Sequence, residues 1–331
     1  MRDQHPVRLA KPSERASAVF GPSAPAYILP HLPTRLFGRD EDLRGLLELL
    51  TRNDVRLLTL TGAPGIGKTS LSFAICHAWQ TDSGRPVHFV ELGAISDPAL
   101  LLPTIALGLN VERPRGGSLL ERIAAQIGGQ ASLLVLDNFE QILTASSSIV
   151  DLLLRCPRLT VIVTSRSPLR VRGEYEWDVL PLRVPSRQEV NHLDSLKANP
   201  SVALLLDRSD AGRTYSALTS ENAEQIAAIC ARLGGVPLAI ELAAPWLRIF
   251  SPADMLERLN RGIDLLRGGA RDVPKRQRTL SNAIDWSDHL LETHERRLFH
   301  QLAIFRYGWS LEAAEAVCHV DVDSDESGSV V

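Results

Sequence analysis

The sequence predicts an α/β domain, with helices on both faces of a mostly parallel sheet, followed by an all-helical region. Three observations support this prediction. Short apolar and β-branched segments alternate with segments of helical spacing through the first part of the chain. A glycine-rich turn stands between the first of these strands and the helix after it. After about Leu182 the strand patterns stop, and helical patterns continue to the end.

The elements of the α/β part follow one another in a regular order. Residues 1–35 hold six prolines among Ser, Ala and Arg, and they predict a disordered tail or linker before the fold begins near Phe37. A helical pattern of leucines then leads into the first strand. One α/β domain is therefore predicted over residues 36–184. Its strands are predicted at residues 55–60, 87–92, 132–137 and 159–164.

Capping residues and prolines mark the helix boundaries in the second part of the chain. Helices are expected to begin at the Asn-Pro and Ser-Pro pairs at residues 199–200 and 251–252. The glycine pair at 234–235 is expected to end one helix, and Pro237 lies in the first turn of the next. These patterns predict a helical domain over residues 185–268.

Composition and charge exclude several classes of protein. The chain has 331 residues, for which two or three domains are expected. It carries 36 basic and 39 acidic residues, so its formal net charge is -3 and no overall positive field favours nucleic acid. Its four cysteines lie far apart and predict neither a metal-binding cluster nor a disulfide framework. Without a signal peptide or a long apolar run, the sequence predicts a cytoplasmic protein that does not span a membrane.

A phosphate-binding turn is the strongest functional pattern. Residues 62–69 read GAPGIGKT, a complete GxxxxGK[ST] motif that makes the α/β part a P-loop nucleotide-binding domain. Glycines let backbone amides turn inward onto phosphates, and the positive end of the next helix faces them. Lys68 is expected to reach the β and γ phosphates, and Thr69 to offer its hydroxyl to Mg²⁺. The predicted nucleotide contacts here are Gly62, Ala63, Pro64, Gly65, Ile66, Gly67, Lys68, Thr69 and Ser70.

Two further charged residues are expected beside the P-loop. Asp137 ends one apolar strand, and Arg166 follows the next strand at the same edge of the sheet. Because ligands of parallel α/β sheets lie beyond the carboxyl ends of the strands, Asp137 is predicted to hold Mg²⁺, partly through water, as a Walker B acid. Arg166 is predicted to sense the γ-phosphate. With Lys68 and Glu140, these residues form the predicted catalytic group.

Together these segments resemble the STAND class of signal-transduction NTPases, and within it the NB-ARC branch found in bacterial AfsR/LuxR-like transcriptional regulators and signalling ATPases. The matching segments are LFGR at 36–39, the P-loop, LVLDNFEQ at 134–141, TSR at 164–166 and GGVPLAIELA at 234–243. The resemblance implies that Arg39 helps to hold the base and ribose and that Pro237 packs against adenine. It also implies that residues 185–268 form an ARC1-like lid, and residues 269–331 a partial winged-helix domain with a disordered acidic tail.

Departures from the family pattern affect the expected chemistry. Asn138 stands where many relatives carry a second acid, and an amide cannot take the proton of an attacking water. Glu140 is a candidate to replace that acid, although its position also suits a charge at a helix start. Slow ATP hydrolysis is therefore expected. The histidine motif of the family is absent, so the sequence is interpreted as the core of a longer regulator.

Three functions are consistent with the sequence. The leading hypothesis is a switch that binds ATP or ADP with Mg²⁺, hydrolyses ATP slowly and controls signalling or transcription through self-association and an unidentified protein partner. The second is a transcription regulator whose winged helix binds DNA through Arg276 and Arg278. In the family this domain is usually a packing module, so direct DNA binding by this chain is the weaker hypothesis. The third is an ADP-locked scaffold without turnover, which Asn138 favours.

Overall fold

The computed structural model describes residues 35–111, 118–209, 218–261, 288, 291, 293–305 and 310–318. Nearly all of the predicted tail at 1–35 lies outside these residues. So does most of the predicted winged-helix domain, including Arg276 and Arg278.

A five-stranded sheet forms the centre of the α/β part, and each pair of neighbouring strands is parallel. The order across the sheet is β2-β3-β4-β1-β5. This arrangement confirms the predicted parallel sheet and brings the carboxyl ends of β1, β3 and β4 to one edge. In chain order the strands are β1 (Leu57–Thr61), β2 (Val87–Glu91), β3 (Ser132–Asp137), β4 (Leu159–Thr164) and β5 (Glu174–Asp178).

Strand β5 is not predicted by the sequence pattern. It reads EYEWD, and its residues are half-buried or exposed because, among the described strands, it pairs with β1 alone at the edge of the sheet. Two of its aromatic residues make specific contacts. Nε1 of Trp177 donates to Oδ1 of Asp42 at 3.2 Å, and the hydroxyl of Tyr175 donates to Oδ2 of Asp54 at 2.9 Å. The strand therefore depends on tertiary contacts that no local alternation of apolar residues reveals.

Helices cover both faces of the sheet, because successive side chains of a strand point to opposite sides. In β3, Leu133 and Val135 belong to the apolar core on one face, and Leu134 and Leu136 to the core on the other. The first face packs against α1 (Asp40–Leu50) and α2 (Lys68–Ser83), and the second against α3 (Leu101–Gly108), α4 (Leu119–Ile127) and α5 (Ser146–Arg155).

A separate apolar core begins at Leu182, and helices supply most of its residues in the part of the chain that the structure describes. We refer to residues 187–261 as the helical region. Its helices are α6 (Arg187–Val190), α7 (Leu193–Ala198), α8 (Pro200–Arg208), α9 (Ala223–Arg232), α10 (Pro237–Ala243) and α11 (Pro252–Arg261). The predicted starts at Pro200 and Pro252 are confirmed.

Two further helices lie beyond the helical region, α12 (Thr293–Leu302) and α13 (Leu311–Val317). Within the part of the chain that the structure describes, no helix combines the length and the apolar composition that crossing a membrane requires.

Candidate nucleotide-binding site

The P-loop joins the carboxyl end of β1 to the start of α2. All residues of β1 are buried, and α2 begins at Lys68, so its positive amino-terminal end faces the loop. Gly65 has a φ of +74°, and a Cβ atom there would lie 2.7 Å from Cβ of Leu238. Glycine is therefore required at this position, both for the backbone conformation and for the close approach of the helical region.

Lys68 is held inside the loop by backbone carbonyls. Its Nζ donates to O of Gly62 at 2.7 Å and to O of Ala63 at 3.1 Å. Burial lowers the pKa of Lys68 to about 8, and the charge of Glu140 opposes this lowering. A bound phosphate would be a stronger partner for the ammonium group than two carbonyls, and it would offset the cost of burying the charge.

Asp137 lies at the end of β3, where three side chains donate to its carboxylate. Oδ1 accepts from Oγ1 of Thr69 at 2.8 Å and from Oγ1 of Thr164 at 2.6 Å. Oδ2 accepts from Nδ2 of Asn138 at 2.7 Å. Burial raises the pKa of Asp137 to about 6, and the two hydroxyl donors oppose this rise. The hydrogen bonds thus fix the position of the carboxylate, whereas its burial disfavours the charged form.

The predicted magnesium ligands lie side by side. Hydroxyl and carboxylate oxygens are the groups that hold Mg²⁺ next to bound phosphates, and the ion usually keeps several water ligands. Thr69 and Asp137 supply one oxygen of each kind, 2.8 Å apart. A cation beside them would favour the charged form of Asp137, which burial disfavours. These two residues therefore fit a magnesium ion.

Replacing Asp137 with asparagine is expected to stabilise the nucleotide-free protein at neutral pH. The pKa of this carboxyl rises from 3.8 to about 6 on folding, so the folded state holds the proton more tightly than the unfolded state does. Its ionisation therefore lowers the free energy of unfolding as the pH rises through the range from about 4 to 6, by about 3 kcal/mol once the carboxyl group is fully ionised. The variant should lose this pH dependence, because its amide stays neutral.

Denaturant unfolding at pH 4.5 and pH 7.5 measures the effect. The Asp137→Asn variant should gain stability over the wild type at pH 7.5 and little at pH 4.5. Asp151→Asn, at an exposed position of α5, is the matched control and should change neither value. A variant that is less stable than the wild type at pH 7.5 would show that the hydrogen bonds of the charged carboxylate outweigh its burial.

Glu140 and Arg166 form an ion pair at the same edge of the sheet. Glu140 lies in a short 3-10 turn (Phe139–Gln141) after β3, and Arg166 follows β4. Nε of Arg166 lies 3.5 Å from Oε1 of Glu140. The Arg166 side chain is 17% exposed and the Glu140 side chain 9%. Glu140 is thus the partner of the predicted phosphate sensor and does not stand at the start of an α-helix.

A cavity lies between the P-loop and the start of α10. At one point of its wall, Leu238 of α10 contacts the P-loop directly. The backbone N of Leu238 donates to O of Gly65 at 3.1 Å. Gly62, Ala63 and Asp137 lie outside the wall of the cavity, in contact with residues that form it. The wall consists of Pro64, Gly65, Ile66, Gly67, Lys68, Thr69, Ser70, Asn138, Glu140, Arg166, Pro237, Leu238 and Glu241.

Arg39 supports the P-loop from the side and is almost fully buried. Its Nη2 donates to O of Ile66 at 3.0 Å and to O of Leu180 at 2.7 Å, while Nη1 pairs with Asp42. Arg39 lines a smaller adjoining cavity, as Pro237 does. The roles that the sequence suggests for these two residues, contacts with the base and ribose, stay predictions.

Four residues of the site were not predicted as site residues: Asn138, Thr164, Leu238 and Glu241. Glu241 lies four residues after Pro237 on α10, so both share one face of that helix, and this spacing is a usable signal. Thr164 precedes the predicted sensor segment at the end of β4, where its hydroxyl reaches Asp137. The contact of Leu238 with Gly65 depends on how the helical region packs against the sheet, which the sequence does not encode locally.

The part of the chain that contains the P-loop resembles a described protein family. The family described as Novel STAND NTPase 1 matches residues 31–173. Rv0890c of Mycobacterium tuberculosis, whose name describes an HTH-type transcriptional regulator, is 37% identical over 270 residues, which is 81% of this chain. That match covers 29% of the relative, so the chain spans less than a third of its length. Rv0894 of the same species, which has no functional name, is 36% identical over 295 residues, covering 88% of this chain and 70% of the relative.

Among solved structures, Cdc6p from Pyrobaculum aerophilum has a TM-score of 0.49 and 19% sequence identity, covering 88% of this chain and 83% of that one. The family match spans the P-loop and strands β1 to β4, and the match with Rv0894 covers 88% of the chain. The chain therefore belongs to the same family as Rv0894, and its P-loop part matches the STAND family of NTPases.

Proposed function

We propose that the chain is a nucleotide-operated regulatory switch that binds ATP or ADP with Mg²⁺ and hydrolyses ATP slowly. The observation that carries the proposal is the hydrogen bond from N of Leu238 to O of Gly65. It joins the P-loop directly to the first turn of α10. A change in the P-loop on nucleotide binding therefore acts on the helical region, which we propose serves as a lid over the nucleotide.

The described residues supply the groups that nucleotide binding requires. The P-loop amides and Lys68 would hold the phosphates, and Thr69 and Asp137 would hold Mg²⁺, which neutralises phosphate charge when it is bound. Asn138 has no carboxylate to accept the proton of an attacking water, which supports slow turnover. A phosphate that is present in ATP and absent from ADP would reach Arg166, and this difference in contacts would bias the position of the lid.

The name of the relative Rv0890c supports a role in transcription control, in which this chain would be the nucleotide-responsive part of a cytoplasmic regulator that self-associates on activation. The signal that drives nucleotide exchange would come from an unidentified protein. DNA binding by this chain itself rests on the basic residues 271–278, which lie outside the described residues. An ADP-locked scaffold is favoured by Asn138, and a phosphate-release assay with ATP separates it from a slow ATPase.

Nucleotides are expected to change hydrogen exchange where the P-loop meets α10. Peptides that cover residues 236–243 should exchange more slowly with ADP and Mg²⁺ than without nucleotide, because a filled site fixes the contact between Gly65 and Leu238. The same peptides should exchange at a third rate with the non-hydrolysable ATP analogue AMP-PNP. Mass spectrometry of the full chain measures all three states.

Two controls accompany this measurement. Peptides from α5, which packs on the face of the sheet opposite α2, should exchange equally in all states. The Lys68→Ala protein should show no nucleotide effect at all. Equal exchange of residues 236–243 in the three states of the wild type would contradict a nucleotide-operated lid.

A further inference from the structure

We propose that Glu140 is a latch for Arg166, holding the phosphate-sensing guanidinium and thereby setting the preference of the site for ADP over ATP. The latch rests on the proposed function, since it assigns a role within the same nucleotide site. Glu140 would be a positioning residue that acts through Arg166. This role differs from that of a general base. Glu140 is also a candidate for the latter, because it follows the Walker B acid Asp137 in the sequence.

The two side chains come from adjacent strands and meet at the nucleotide cavity. β3 and β4 are hydrogen-bonded neighbours, Glu140 and Arg166 follow their carboxyl ends, and both residues line the cavity that contains Lys68. Water reaches only 9% of the Glu140 side chain and 17% of the Arg166 side chain. Charges at this burial are screened less than surface charges, so their attraction is stronger than that of an exposed pair.

The contact between the two groups is loose enough to open. The distance of 3.5 Å from Nε of Arg166 to Oε1 of Glu140 exceeds the roughly 2.7–2.9 Å of a close charge-assisted hydrogen bond. Oε2 of Glu140 is buried, and among the described residues it has no hydrogen-bond partner. The carboxylate can therefore tighten its hold on the guanidinium or release it after a small movement of either side chain.

A γ-phosphate would compete with Glu140 for Arg166. Guanidinium groups bind carboxylates and phosphates through the same planar fork of donors. ADP lacks the γ-phosphate and leaves the latch intact, whereas ATP gains its contact with Arg166 only by weakening the latch. The attraction lost in this exchange lowers the affinity for ATP relative to ADP. Glu140 thus favours the ADP-bound state of the switch.

The ratio of the affinities for AMP-PNP and ADP, measured by calorimetry on the full chain with Mg²⁺, tests the latch. Glu140→Gln keeps the shape of the side chain and removes its charge. This variant should raise the ratio about five- to tenfold through tighter AMP-PNP binding, with the ADP affinity nearly unchanged. In an Arg166→Ala background the same substitution should leave the ratio unchanged, because no sensor remains to be held.

Each of four other outcomes would overturn the latch. An unchanged ratio in Glu140→Gln would show that the pair does not discriminate, and an equal rise in the Arg166→Ala background would show a general charge effect. A parallel loss of both affinities, with a lower melting temperature, would indicate a structural role. A fall in ATP hydrolysis of about a hundredfold or more at an unchanged ratio would identify a general base. Failure of the wild type to bind either nucleotide would contradict the proposed function itself, and it would be seen before any variant is made.

Discussion

Replacing Lys68 with alanine is expected to weaken ADP binding at least about a hundredfold. Lys68 holds a half-buried positive charge at the amino-terminal end of α2, with two backbone carbonyls as its present partners. Charge-assisted hydrogen bonds contribute about 1.5–3 kcal/mol each, and the ammonium group can donate more than one to the oxygens of the β-phosphate of ADP. Since about 1.4 kcal/mol is a tenfold change in affinity, the loss is at least two powers of ten.

The sequence offers a matched control for this variant. The chain has only four lysines, and Lys197 is exposed on α7, away from the wall of the nucleotide cavity. Lys197→Ala removes the same charge and should leave the dissociation constant for ADP unchanged in a calorimetric titration. Denaturant unfolding of both variants separates a loss of binding from a loss of folding. Tight ADP binding by folded Lys68→Ala protein would rule out the P-loop as the phosphate site.

Replacing Gly235 with alanine is expected to destabilise the fold much more than the same change at Gly234. Both glycines have positive φ, +66° and +62°. A Cβ atom at Gly235 would lie 2.0 Å from O of Leu182, whereas one at Gly234 would meet nothing within 4 Å. The backbone conformation alone costs about 1–2 kcal/mol at either position. The contact with Leu182 raises the cost at Gly235 to at least about 3 kcal/mol, because a backbone carbonyl cannot rotate away as a side chain can.

Denaturant unfolding of the two alanine variants compares these costs directly. The pair isolates the close contact, because the residues are neighbours with the same chemistry and nearly the same φ. The N of Leu182 also donates to O of Gly235 at 2.9 Å, and this hydrogen bond joins the end of the α/β part to the helical region. An alanine at 235 would push Leu182 away and break it. Equal destabilisation by the two variants would show that only the backbone conformation, and not the contact, requires glycine at 235.

Much of the sheet can be predicted from the sequence because its signals are local. The apolar run of β3 ends in Asp137, and the motif around Lys68 lies between a strand and a helix, so both patterns are read without knowing the fold. The parallel-sheet rule then places these two residues at one edge, where Thr69 bonds to Asp137. Strand β5 cannot be predicted in this way, because three of its five residues are acidic and it has no apolar run.

The finer geometry of the site depends on loop conformation and on packing. Asn138 has a φ of +65°, and this left-handed backbone precedes the turn that brings Glu140 to Arg166. No periodic pattern encodes that turn. The contact of Leu238 with Gly65 likewise arises only when two separately formed cores pack together. The domain boundary between residues 184 and 185 stays a prediction.

The acidic edge strand β5 has a consequence for aggregation. One side of this strand pairs with β1, and among the described residues no strand pairs with its other side. Exposed edges of this kind invite the strands of other molecules to add to the sheet. Here Glu174, Glu176 and Asp178 would place like charges opposite one another in a symmetric pairing of two such edges. Sheet-to-sheet polymerisation is thereby discouraged, and the self-association that we propose would use another surface.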